Sequence, residues 1–533
     1  MFLVNHDTYK VVTREKRRTR NLSDEEKLLF VRESSGLVKE VGTGFALILP
    51  IALTLGPWFH FAGPQISTWN PGAQLVPMFA LGAFAVFFEA LALMCLMLAM
   101  PRSGASYHFT GRGLSPIFGV MEGWRSVITN PVFRGTGSFF AVQIFAGGLY
   151  VIGSATGDAG VLALATLLNE PIPLFIAAFV MILIGFVFSY LSVKWLGWFV
   201  IILGIINILS LLVADLVLIM TPITSTVWDN VFGAGSYAGV QAVLPNTAAY
   251  DTFNAAAVGP ALIVTVGMMW PYLIMPVAGE VSQPSKNIPL SNVGGWAGIA
   301  AFFLLSGYAL ESSMGSFLYQ ANTAFTFFPG FGNYAAVALQ GNPLSWFVIL
   351  GPIFASVLDS PSNALWVTRP MHSMAMDRFC PEAFARVHPK YHVPHITLYF
   401  WLIVATATSA YATILQVFYG TALSALVGVA FTYVFIRWQM ALAAVSLPYY
   451  RPTLWERSGA WTFLRIPLVA IGGIVSGAIF LWALIAYVPS LPYEVAFTVG
   501  VYVFGQLAYM YYGAKNKAKG IEMSAIFGQL PPE

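Results

Sequence analysis

Several ionisable side chains fall inside long apolar stretches of this 533-residue chain: Glu89, Glu122, Arg125, Arg134, Glu311 and Asp359. A charge placed in hydrocarbon is costly, and one that persists there faces a partner, a cavity or both. Arg134 stands near the middle of its stretch, in Asn130-Pro131-Val132-Phe133-Arg134-Gly135. Its planar fork matches a carboxylate, so it reads either as an anchor for an acidic group on a small solute or as the partner of Glu89 or Asp359. Arg125 is three residues from Glu122, the spacing at which two charges pair along one helix. Asp359 lies in Ser356-Val357-Leu358-Asp359-Ser360-Pro361-Ser362. Ser356, Asp359 and Ser360 offer oxygen atoms to a cation such as sodium, and the same small polar residues serve ordinary helix–helix hydrogen bonding.

Other chemistries find no support. His388 and His392 are four apart, but Pro389 intervenes and no acidic or thiol side chain surrounds them, so no metal site is expected. No phosphate-binding loop, nucleophile elbow or nucleophile–base pair can be assembled, so neither an enzyme nor a cofactor is expected.

The elements that must position these charges are membrane helices. The chain is 58% hydrophobic and 9% charged, with mean hydropathy +0.73, whereas soluble domains carry about a quarter charged residues. Cys95 and Cys380 suggest no disulfide framework. The first 40 residues are polar, with no apolar core of a cleavable leader. Their basic cluster, Arg14, Lys16, Arg17, Arg18 and Arg20, reads as a membrane-orienting anchor rather than a nucleic-acid site.

About twelve apolar segments follow, each near the ~20 residues that cross a bilayer: 41–62, 76–99, 117–153, 172–191, 195–220, 258–279, 293–319, 345–375, 396–414, 417–446, 466–488 and 491–513. The third and eighth are long enough to require tilt, a kink or extra turns. Alternate connections hold Arg102, Arg112, Lys194, Lys286, Arg378, Arg386, Lys390, Arg451, Arg457 and Arg465. The others hold Asp158, Glu170, Asp229, Asp251 and Glu494 and no Lys or Arg. That one-sided distribution predicts a multi-pass cell-membrane protein with both termini cytoplasmic.

Two of the segments are interrupted. The sixth reads Gly267-Met268-Met269-Trp270-Pro271-Tyr272-Leu273-Ile274-Met275-Pro276, then turns polar at Gly279-Glu280. The first carries Leu55-Gly56-Pro57-Trp58 after its apolar run. Proline removes a backbone donor and breaks the turn before it. In a bilayer the freed carbonyls need protein or water partners. Paired interruptions at matching places in two halves of a chain point to a solute site of a transporter. The expected division is a tail at 1–38, five-helix repeats at 39–221 and 222–446, two added helices at 447–513 and a tail at 514–533.

Three stretches together resemble the amino acid–polyamine–organocation superfamily of permeases. They are Met100-Pro101-Arg102-Ser103-Gly104-Ala105-Ser106-Tyr107; Gly279-Glu280-Val281 through Lys286-Asn287-Ile288-Pro289; and Thr368-Arg369-Pro370 through Met376-Asp377-Arg378, continuing to Val393-Pro394. The resemblance covers roughly residues 34–515 and implies the leucine-transporter fold: an all-α, polytopic membrane protein with a 5+5 inverted repeat, broken first and sixth helices and two extra C-terminal helices. It implies alternating access around a site among the first, third, sixth, eighth and tenth helices. Where the family holds a solute carboxylate on backbone amides of the first break, this chain has Leu55-Gly56-Pro57-Trp58, and Pro57 has no amide to offer. Where the family has a small pair in the sixth helix, this chain has Met269-Trp270. Asn207 stands near the position at which some members carry a lysine linked to proton coupling.

The expected function is secondary transport of an amino acid, amine or related small organic solute, coupled to sodium or a proton. The alternative is a transporter-like membrane sensor without net transport. The residues expected at the solute site are Leu55, Gly56, Pro57, Trp58, Arg134, Met269, Trp270, Pro271 and Tyr272. Ser356, Asp359, Ser360 and Asn207 are expected at the ion-coupling site. The aromatic bodies of Trp270 and Tyr272 favour a solute with an apolar or cationic part.

Overall fold

Helices account for nearly all of the regular structure, as a chain confined to hydrocarbon must arrange. The computed structural model describes residues 30–31, 34–191, 193–419, 422–489 and 492–532. The basic cluster Arg14–Arg20 lies outside the described residues.

In chain order the principal helices are α1 (Thr43–Thr54), α2 (Pro57–Trp69), α3 (Leu75–Ala99), α4 (Ala105–Gly113), α5 (Pro116–Thr156), α6 (Pro171–Leu191), α7 (Val193–Met220) and α8 (Ala255–Met268). They continue with α9 (Gly295–Met314), α10 (Leu344–Met376), α11 (His395–Tyr419), α12 (Ala422–Tyr450), α13 (Leu468–Tyr487), α14 (Pro492–Ala518) and the short α15 (Met523–Gly528). Among the described residues nine helices are long and apolar enough to cross a membrane, and ten if the bent pair α1–α2, at 43°, is one span. Two of the twelve expected spans miss that count for local reasons. The sixth is split, leaving α8 with 14 residues. The twelfth, α14, is long but carries Glu494 and a tyrosine-rich run.

The two over-long segments are single helices. α5 runs 41 residues through Pro131 and stops at Gly157, whose φ of 70° is left-handed. α10 runs 33 residues through Pro352, Pro361 and Pro370. These two helices pack along each other over much of their length. The α3, α12 and α13 helices form a second packed group. Small residues allow close approach, as at Gly185 of α6, where an added Cβ would fall 2.0 Å from Ser360 Cβ on α10.

One end of the bundle carries Arg102, Arg112, Arg369, Arg378 and the 521–532 segment. It is called the basic end below. The other carries Asp158, Asp229 and Asp251 on short helices and is called the acidic end. A two-residue antiparallel hairpin, β1 (Thr462–Phe463) with β2 (Ile466–Pro467), links α12 to α13.

Candidate solute site between two broken helices

The first break is short. α1 ends at Thr54, Leu55 leaves helical geometry, Gly56 is extended and Pro57 starts α2 at its first position. Proline suits that position because its missing N–H would have had no intrahelical partner. Gly56 is required by space: a Cβ there would lie 2.7 Å from the Leu53 carbonyl oxygen. The carbonyls freed by the break are answered from α7. Asn207 Nδ2 donates to Ala52 O at 2.9 Å and to Leu55 O at 3.0 Å. Asn207 is fully buried.

The second break is longer. α8 ends at Met268, Met269 is extended, and regular turns resume only in the 3-10 segment Met275–Glu280. The two breaks face each other: the Trp270 N–H donates to Thr54 Oγ1 at 3.2 Å. Arg437 of α12 donates to the Val266 carbonyl and forms a two-pronged pair with Glu89 of α3. Its guanidinium also lies 5.4 Å from the Tyr272 ring centre and 4.8 Å from that of Phe480. Each break is thus braced by one polar side chain from a neighbouring helix, Asn207 for the first and Arg437 for the second.

A narrow inner cavity runs from the breaks toward the basic end, bounded by Leu53, Phe133, Trp270, Tyr272, Trp366 and Tyr433, with Asp359 and the Glu122–Arg125 pair in its wall. About 40 Å³ of it is open to the centre of a water molecule. A vestibule on the acidic side, between Phe61, Gln65, Phe140, Gln143, Asn322 and Phe328, has about 610 Å³ by the same measure. Phe61 stacks on both Phe140 and Phe328 at ring distances of 5.5 and 4.7 Å.

The expected residues divide accordingly. Trp270 and Tyr272 line the inner cavity. Leu55, Gly56 and Pro57 form the first break. Trp58 is 6% exposed and leans on Phe61. Met269 and Pro271 are buried within the second break.

Arg134 is where the expectation of a solute anchor meets a correction. It is fully buried and its guanidinium is committed: to Asp359 Oδ2 at 2.6 Å, to the Ser356 carbonyl at 2.9 Å, to Ser356 Oγ at 2.7 Å, and to Ser138 Oγ. No fork remains for a solute carboxylate. The cation set is corrected by the same bonds. Ser356 and one Asp359 oxygen are taken by Arg134, and Ser360 Oγ donates to the Met181 carbonyl at 3.0 Å on α6. Those three side chains do not converge on one point. Arg437, in α12, is a second arginine within a span and is equally buried. Arg125 pairs with Glu122 as its spacing implies, at 2.8 and 2.6 Å, and adds Thr129 Oγ1 at 3.0 Å.

The three sequence stretches quoted above meet at the basic end. Arg369 grips Glu280 through two hydrogen bonds of 3.0 and 2.9 Å, and Ser103 Oγ donates to the same carboxylate at 3.1 Å. The Gly104 N–H donates to the Pro276 carbonyl at 2.9 Å, and Ser373 Oγ donates to the Ser103 carbonyl at 2.6 Å. The Val41 N–H, just ahead of α1, donates to the Glu280 carbonyl at 3.0 Å. One turn further, Asp377 accepts from Tyr107 Oη at 2.7 Å and from Arg112 at 3.0 Å. This network joins the loop before α4, the end of the second break and the end of α10, with its charged side chains buried.

Comparison with known proteins agrees with this architecture. The family model described as "Amino acid permease" matches residues 60–513. The chain is similar to the glutamate/serine transporter AimA of Bacillus subtilis (strain 168), 23% identical over 375 residues, which is 69% of this chain and 65% of that protein. It is similar to the serine/threonine exchanger SteT of the same organism, 22% identical over 386 residues, covering 70% of this chain and 77% of the relative. It also resembles the branched-chain amino acid permease BcaP, 22% identical over 380 residues, covering 68% and 73%. With helices broken at Leu55–Gly56 and Met269–Ile274 facing each other inside the bundle, and with a family match spanning most of its length, this chain belongs to the amino acid permease family.

Proposed function

We propose that the protein is a secondary transporter of an amino acid or closely related solute, working by alternating access between the acidic and basic ends of the bundle. The observation that carries this reading is the pair of facing helix breaks joined by the Trp270–Thr54 hydrogen bond. A half-helix freed from its other half can move without unfolding the bundle, and its unpaired backbone groups can hold a polar solute. The relatives named as amino acid transporters and exchangers support the solute class.

The vestibule on the acidic side is wide and the inner cavity toward the basic end narrow, about 610 against about 40 Å³, which supports a conformation open toward the acidic end. With the positive charges inside, both termini are cytoplasmic and this conformation is open to the outside. Coupling to sodium or to a proton is part of the proposal, but Ser356, Asp359 and Ser360 do not form its ion cage. Solute entering from the vestibule reaches Trp270. Release then requires the Glu280–Arg369 seal to part and the Met275–Glu280 segment to swing from Gly104. The two five-helix repeats at 39–221 and 222–446 are the units proposed to supply one broken helix each.

The test is uptake of radiolabelled amino acids by purified protein in liposomes, with sodium and proton gradients imposed separately. Uptake above protein-free liposomes for at least one amino acid is expected. A folded, reconstituted protein that moves none of the twenty would end the proposal.

A further inference from the structure

The two ion pairs beside the inner cavity are oriented differently. In the Glu122–Arg125 pair both side chains are closed off, at 0% and 1% exposure, and every guanidinium nitrogen has a partner. In the Arg134–Asp359 pair the cation is wholly buried while the carboxylate is 14% exposed. It is Asp359, and not Arg134, that lines the cavity. Asp359 Oδ2 accepts from Arg134, and Oδ1 takes no hydrogen bond from any described residue. The pair is neutral as a whole, yet the end it presents to the cavity is an anionic oxygen.

The rest of the wall suits a cation too. Phe133, Trp270 and Tyr433 pack against one another at ring distances of 5.5, 5.6 and 6.3 Å, and all three line the cavity. Aromatic faces attract ammonium groups electrostatically, more strongly where water is excluded. Uncommitted donors in the wall are neutral: Trp270 Nε1, Trp366 Nε1 and Ser106 Oγ are buried without a hydrogen-bond partner. The cationic group in the wall is Arg125, whose charge is paired with Glu122 and whose three guanidinium nitrogens are each hydrogen-bonded. Among the described residues a carboxylate entering this space meets no cation that lacks a counter-charge, whereas an ammonium meets a carboxylate oxygen and aromatic faces.

We propose that Asp359 Oδ1 receives the ammonium group of the transported solute, and that the ammonium rather than the carboxylate is the group this cavity reads. The inference rests on the transporter reading given above. The present opening admits an ammonium and little more, so the body of the solute enters as Met269–Ile274, the segment bearing Trp270, shifts. Decarboxylated amines are then ligands, and des-amino acids are not.

The experiment compares matched triplets by thermal shift and isothermal titration on the purified protein. The triplets are L-leucine, 3-methylbutylamine and 4-methylpentanoate; L-phenylalanine, 2-phenylethylamine and 3-phenylpropionate; and L-serine, ethanolamine and 3-hydroxypropionate. In at least one triplet the amino acid and its amine bind within about tenfold of each other, the gap of a peripheral rather than a central contact, and the acid does not bind. An amino acid that binds while its amine does not would overturn the inference and leave the transporter reading intact, and so would an acid that binds as well as the amine. A protein that binds none of the nine and takes up no amino acid overturns both.

Asp359→Asn is expected to weaken amine binding at least tenfold. Because it strands Arg134, the double variant Arg134→Gln/Asp359→Asn provides a neutral pair of similar shape, with the same loss expected. Unchanged amine affinity in a folded double variant would show the exposed oxygen to be hydrated and nothing more, overturning the assignment. If neither variant folds, the triplets on the unmodified protein decide.

Discussion

Changing Glu280 to Gln removes one charge from the buried network at the basic end, the gate of the proposed cycle. Glu280 accepts two hydrogen bonds from Arg369 and one from Ser103, and the pair's side chains are 1% and 3% exposed. Glutamine keeps one acceptor oxygen and leaves the guanidinium buried without a counter-charge. Breaking a buried pair in this way costs ~3–5 kcal/mol. The cost falls on the sealed conformation, because parting the network lets water reach Arg369. If the open conformation escapes it entirely, the equilibrium moves toward opening by about two to three and a half powers of ten, since every ~1.4 kcal/mol is tenfold. Residual pairing with Thr368 Oγ1, already 3.2 Å from Arg369, makes this an upper bound. The assay is alkylation of Ser362→Cys, a cavity-lining position, by a membrane-impermeant maleimide from the basic side, with Cys95 and Cys380 replaced by alanine. Labelling of Glu280→Gln should exceed that of the parent by tenfold or more. An equal labelling rate alongside a lowered melting temperature would refute the reasoning, because Glu280 would then brace the fold without gating it.

Other expectations follow from the same bonds. Asn207→Leu orphans the carbonyls of Ala52 and Leu55, each worth ~1–3 kcal/mol when buried unpaired. A fall in melting temperature is expected, and an unchanged one would show that water replaces the amide. Arg437→Met and Glu89→Gln should each destabilise by ~3–5 kcal/mol, while the double variant Glu89→Leu/Arg437→Met recovers most of the loss, since a well-packed apolar pair can replace a buried ionic one; additive losses would contradict this. Single cysteines at Asp229 and Lys390 should label from opposite sides of sealed vesicles. Labelling of both from one side would reverse the topology.

The sequence makes the breaks legible because their cause is local. A proline in an apolar run marks a place where a helix can part, and the structure interrupts both helices at Pro57 and Pro271 while α5 and α10 run on through theirs. Glu122 and Arg125 were legible for the same reason, being three residues apart on one helix. What spacing could not reveal was pairing between helices. Arg437 lies 348 positions from Glu89, and nothing in Phe435-Ile436-Arg437-Trp438 says which partner it faces. The one available signal was its presence in an apolar span. Asn207 stands out in the sequence by its position, but its work as a brace depends on how α7 is rotated toward α1. The orientation of the Arg134–Asp359 pair turned on a similar matter: which of the two ends is turned to the cavity is set by helix packing. The Ser356–Asp359–Ser360 group fails as a cage because Ser356 and Ser360 point to different neighbours, α5 and α6.

Solute counterflow tests the central claim most directly. Liposomes containing the purified protein are loaded with a high concentration of one unlabelled amino acid and diluted into a trace of the same amino acid carrying a label. A site exposed alternately to the two sides carries label inward each time unlabelled solute leaves. The account therefore predicts transient accumulation of label well above equilibrium, without any ion gradient, and its loss in Trp270→Ala. Binding of the amino acid with no counterflow, in protein inserted and folded in the same liposomes, would contradict alternating access and leave a receptor in its place.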